Sequence, residues 1–125
     1  MTRFTPEEFE QLVVQALDDL PDEIHAALEN IEVVVADWPT AAELDSVRMK
    51  PGELLLGLYQ GVPLTQRGSH YGMVLPDKVT IFQGPIEEVC RTPAAIIRQV
   101  QRTVRHELAH HFGLSDDRLR ELGAY

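Results

Sequence analysis

A chain of 125 residues is the size of one domain (residues 1–125), long enough for a core of its own and too short for two. Its 44% hydrophobic and 25% charged residues are those of a soluble globular protein, and 20 acidic residues against 11 Lys and Arg, net −9, disfavour a nucleic-acid partner. No run nears the ~20 apolar residues of a membrane span, Met1-Thr2-Arg3-Phe4 lacks the apolar core of a secretory signal, and the lone Cys90 leaves no internal disulfide, so a cytoplasmic protein without membrane contact is expected.

In chain order, Thr5 and Glu8 form a Thr-x-x-Glu capping box with Pro6 at the first helical position. Phe9, Leu12, Val13, Ala16, Leu17 and Leu20 then recur at helical spacing as a core-facing stripe. Pro21 ends that helix and starts a short one, Asp22 to Glu29. The β-branched run Ile31 to Ala36 predicts a strand, Trp38-Pro39-Thr40 a break, and Ala41 to Asp45 a helical turn. Leu54 to Tyr59 reads as a second, mostly buried strand, and residues 61–72 as a loop punctuated by Pro63, Gly68 and Ser69. Met73 to Leu75 and Lys78 to Phe82, around Pro76-Asp77, predict a hairpin, followed by a short helix over Ile86 to Arg91. Thr92-Pro93 opens the last long helix, expected to reach Phe112 with Gly113 as its terminator. The order predicts an α+β fold, one twisted sheet packed on helices.

That last helix contains His106-Glu107-Leu108-Ala109-His110, a His-Glu-x-x-His sequence. Histidines at i and i+4 lie ~40° apart around a helix, so both imidazoles can reach one cation. A catalytic zinc site needs three protein ligands and one open position. Glu107, next to the first ligand, can face that position and take a proton from water. The extension to Gly113 and Asp116 supplies a third ligand, since a glycine at the helix end lets the chain turn sharply; Asp117 is the competing residue, and the spacing favours Asp116. By composition, a chance His-Glu-x-x-His has an expected count of ~0.02, and the extended motif roughly 10⁻⁴, so chance explains it poorly.

His106, Glu107, His110, Gly113 and Asp116 together resemble the extended motif of metzincin-type zincin metallopeptidases, in the variant with Asp as third ligand. The small size and the motif's position resemble a family of minimal single-domain bacterial zincin-like metallopeptidases. The resemblance implies a zincin-like fold with a long C-terminal active-site helix and one Zn²⁺ per chain. It also implies Glu107 as general base in peptide-bond hydrolysis, and a peptide or protein substrate laid along a sheet edge. Lys78 to Phe82 is the expected edge strand. The motif lies so close to Tyr125 that the methionine-containing turn of metzincins has no place after it; Met1, Met49 and Met73 all precede it.

Other readings accompany each residue. Glu107 can be a plain helix residue or a carboxylate supporting the ligands. Ser115-Asp116-Asp117 also reads as the acidic first turn of a short helix ending near Leu122. His111 falls on the face of Val104 and Leu108, as a packed histidine. His70 and Tyr71 sit in a Gly-flanked loop able to overhang the site, Cys90 reads as a small buried hydrophobe, and Arg98, Arg102 and Arg105 as a solvated helix face. Three functions follow: a zinc peptidase, a catalytically weak or inactive zincin-fold metal-binding module that binds a peptide or protein partner, and a metal-dependent hydrolase of another substrate.

Overall fold

The capping chemistry at the N-terminus acts as its residues dictate. A computed structural model describes residues 4–29, 31–47, 49, 53–61 and 77–112. In it the Glu8 N–H donates to Thr5 Oγ1 at 3.1 Å and the Thr5 N–H to Glu8 Oε1 at 2.9 Å. This reciprocal box starts α1 (Pro6–Asp18), which turns Phe9, Val13 and Ala16 inward. After Pro21 comes α2 (Asp22–Leu28), then β1 (Ile31–Ala36). A second box, between Thr40 and Glu43, starts α3 (Ala41–Ser46). The remaining elements are β2 (Gly57–Gln60), β3 (Asp77–Phe82), α4 (Gln83–Val89) and α5 (Pro93–Phe112).

Two boundaries differ from expectation by three residues, the others by two at most. The second strand starts at Gly57 rather than Leu54, although the Phe82 N–H still donates to Leu56 O at 3.0 Å. The short helix begins at Gln83 rather than Ile86, because a proline in the first helical turn gives up no intrahelical hydrogen bond. The expected loop and the first arm of the hairpin, Met73 to Leu75, lie outside the described residues.

The strands form one mixed sheet in the order β1-β3-β2. β1 runs parallel to β3, with Ile31 opposite Asp77 and Ala36 opposite Phe82. β2 runs antiparallel to it, with Gly57 opposite Ile81 and Gln60 opposite Lys78. Lys78 to Phe82 is therefore central and not the edge. It is paired on both sides, and the side chains from Val79 to Phe82 are buried. Among the described strands the edges are β1 and β2. A run buried on both faces carries no alternation from which its place in the sheet could be read.

The core joins this sheet to α1 and α5: Phe9, Val13 and Ala16 meet Ile96, Val100, Val104 and Leu108, with Val79 and Ile81 from β3. Two side-chain bonds tie α5 to α1, and α4 to the residues that precede α1. Gln101 Nε2 donates to Ala16 O at 3.0 Å, and the Phe4 N–H to the buried Glu87 Oε2 at 3.1 Å. No helix among the described residues is long and apolar enough to cross a membrane. The architecture is α+β, with a small mixed sheet on helices that include a long C-terminal one.

Candidate active site

The candidate residues stand on the last two turns of α5. Its start is held by Thr92, whose Oγ1 accepts the Ala95 N–H at 3.1 Å, and the helix continues through His106, Glu107 and His110 to Phe112. Val104, Leu108 and Ala109 are buried, which fixes the rotation of the helix on the core. That rotation leaves His106 and Glu107 half-buried. His110 follows one helical turn after His106, as a pair of ligands at i and i+4 requires.

Glu107 is placed by β2. Its Oε1 accepts the Tyr59 N–H at 3.1 Å. In an antiparallel pair alternate residues point toward the partner strand. Leu56 bonds β3, so the Tyr59 amide points away from β3, where a side chain of α5 can meet it. Tyr59 is itself tied down, with its hydroxyl donating to Asp77 Oδ2 at 2.6 Å.

Gly57 sets how closely β2 lies on α5. A Cβ there would stand 2.4 Å from Thr103 Cγ2 and 3.1 Å from Thr80 O. The two contacts keep step: Gly57 to Tyr59 spans ~6.7 Å of strand and Thr103 to Glu107 ~6 Å of helix. None of Gly57, Tyr59 and Asp77 is singled out by the motif. A glycine interrupting the apolar run Leu54 to Tyr59 is the one signal that could have found them, since it marks a close backbone approach.

Imidazoles at i and i+4 on an uninterrupted helix, beside a carboxylate, are a donor set suited to a divalent metal, and α5 supplies both positions. Asp116, Asp117, Gly113, His70 and Tyr71 lie outside the described residues, as do the side chains of His110 and His111. Among the described residues no group of three or more His, Cys, Asp or Glu is arranged to hold a metal.

The arginine cluster divides. Arg98 and Arg102 are exposed, as a solvated face requires, but Arg105 is half-buried and its Nε has no hydrogen-bond partner among the described residues. Burial lowers its pKa from the usual guanidinium value. Cys90 is buried as expected, with burial pushing its thiol pKa up against the opposing charges of Arg98 and Arg102.

A helix carrying His-Glu-x-x-His beneath a mixed sheet defines the zincin class of architecture. The chain belongs to the zincin-like metallopeptidase family, whose family model matches residues 28–124. Among solved structures it is similar to a conserved hypothetical protein from Thermus thermophilus, at 25% identity and a TM-score of 0.54, over 87% of this chain and 94% of that one. No curated protein matches.

Proposed function

We propose that the chain is a zinc-dependent metallopeptidase in which His106, His110 and Asp116 hold the ion and Glu107 is the general base. The observation that carries this reading is the bond from the Tyr59 amide to Glu107, which orients the motif's carboxylate on a helix with two histidines one turn apart. Family membership supports the same chemistry. Bound zinc would polarise the scissile carbonyl and make water more acidic. Glu107 takes a proton from the attacking water and later delivers it to the leaving amine nitrogen. A carboxylate accepts at both of its oxygens, so orientation by the Tyr59 amide and proton transfer are compatible in one group. β2, at a described edge of the sheet and beside Glu107, replaces Lys78 to Phe82 as the strand along which an extended peptide would lie, without use of the Tyr59 amide, which is given to Glu107.

The test has two parts. Elemental analysis should find about one zinc per chain, lost in His110→Ala, and Glu107→Gln should keep the zinc while abolishing cleavage of an unstructured protein substrate such as casein. Wild-type cleavage by the Gln variant would overturn the mechanism. Zinc binding without cleavage would leave the metal-binding module that docks a peptide or protein.

A further inference from the structure

At the opposite end of the sheet, Phe4, Thr5, Glu8, Asp37, Trp38 and Gln83, with Pro6 and Gly84, line an open cavity of about 560 Å³. That volume is in the range of small-ligand sites. The cavity is separate from the motif: Asp77, bonded to Tyr59, begins β3, and Gln83 follows its end, roughly 20 Å further along. One wall, Phe4 to Glu8, precedes the segment matched by the family model.

The hydrogen-bond chemistry of the lining is one-sided. On the α1 wall the Phe4 N–H is spent on Glu87, the Thr5 N–H on Glu8 and the Glu8 N–H on Thr5, while Pro6 has none. Opposite, the Gly84 N–H is spent on Asp37 O at 2.8 Å and one hydrogen of Gln83 Nε2 on Phe4 O at 3.0 Å. The second hydrogen of Gln83 Nε2, the neutral Thr5 hydroxyl and the Trp38 indole remain as side-chain donors, none of them charged, and no Lys, Arg or His lines the cavity among the described residues. Acceptors are in surplus: the Asp37 carboxylate, the second oxygen of Glu8, and Gln83 Oε1, buried without a hydrogen-bond partner among the described residues on a residue only 2% exposed. Trp38 completes the lining. Its indole lies so close over Gly84 that a Cβ there would come within 2.1 Å of Cε2, yet the residue is 53% exposed. Carboxylates, an orphaned amide oxygen and an aromatic face together select a ligand that brings its own donors and a positive charge.

We propose that this cavity binds an organic cation, a primary ammonium or guanidinium group, against Trp38, Asp37 and Gln83. The charge pairs with Asp37, the N–H groups supply the charged donors that the lining lacks, and the alkyl stem lies on the indole.

Trp38 is the sole tryptophan of the chain, so its emission reports on the site directly. The 125-residue chain is titrated with butylammonium and methylguanidinium, with neutral butyramide and anionic butyrate as controls. The expected result is a saturable change with the cations and at least tenfold weaker responses with the controls. Asp37→Asn, on an exposed side chain whose backbone carbonyl still holds Gly84, should weaken cation binding roughly five- to tenfold, and Glu8→Gln should weaken it less. Tighter binding of an acetylated Gly-Lys-Gly amide than of butylammonium identifies a basic peptide as the source of the cation; equal binding identifies a free amine. No saturable response to cations, an equal response to butyramide, or unchanged binding in Asp37→Asn overturns the proposal.

Discussion

The amide of Tyr59 and the carboxylate of Glu107 are 48 residues apart in sequence and 3.1 Å apart in space, and Gly57 makes that approach possible. Gly57→Ala drives a methyl into Thr103 Cγ2, and either the Thr103 side chain turns or β2 lifts from α5 to accommodate it. Overpacking of this kind costs about 1–3 kcal/mol, to be read from denaturant unfolding. Under the proposed mechanism, kcat for peptide cleavage should fall at least tenfold with zinc content unchanged, since Glu107 loses its orienting donor while the histidines keep their places on the helix. Adding Thr103→Ser removes the offending methyl and should restore most of both losses; a Gly57→Ala enzyme with full kcat would show that the spacing is unimportant.

Tyr59→Phe removes the hydroxyl bond to Asp77 and leaves the amide bond to Glu107 in place. A hydrogen bond to a charged group contributes about 1.5–3 kcal/mol, and partial exposure of this one argues for the lower end. Unfolding free energy should therefore drop by about 1–2 kcal/mol, with kcat changed less than by Gly57→Ala. A larger loss of kcat in Tyr59→Phe would show that the hydroxyl acts in the site itself.

Metal binding should be visible as stability. A ligand that binds only the folded chain raises its stability by RT ln(1 + [L]/Kd), about 2.7 kcal/mol at a hundredfold excess over Kd. Added zinc should raise Tm, EDTA should reverse the rise, and His106→Ala should abolish it. A Tm indifferent to zinc in the wild type would remove the basis for the metal site.

The Cys90 thiol is buried and its pKa is raised, chiefly by burial. At pH 8 it should react with a disulfide reagent at least a hundredfold more slowly in the native protein than in denaturant. The sign for stability follows from linkage. The folded chain holds this proton to higher pH than the unfolded chain does, so its contribution is intact below the unfolded thiol pKa. It is lost as pH rises from there through the folded value. Cys90→Ala should therefore flatten the alkaline decline measured by urea unfolding.

The sequence by itself determined the parts whose causes are local. The Thr5–Glu8 box and the Thr92 cap place two helices at Pro6 and Pro93, because capping and periodicity need only a few neighbouring residues. The spacing of His106, Glu107 and His110 is likewise complete within little more than one turn of helix. The tertiary structure alone decided which strand lies at the edge. Lys78 to Phe82 is central because β1 and β2 pair with its two sides, and nothing within a short run buried on both faces distinguishes the middle of a sheet from its margin. It also decided what orients Glu107: the meeting of Tyr59 and α5 depends on a glycine fitting against a threonine 46 positions away, a packing contact that no local pattern encodes.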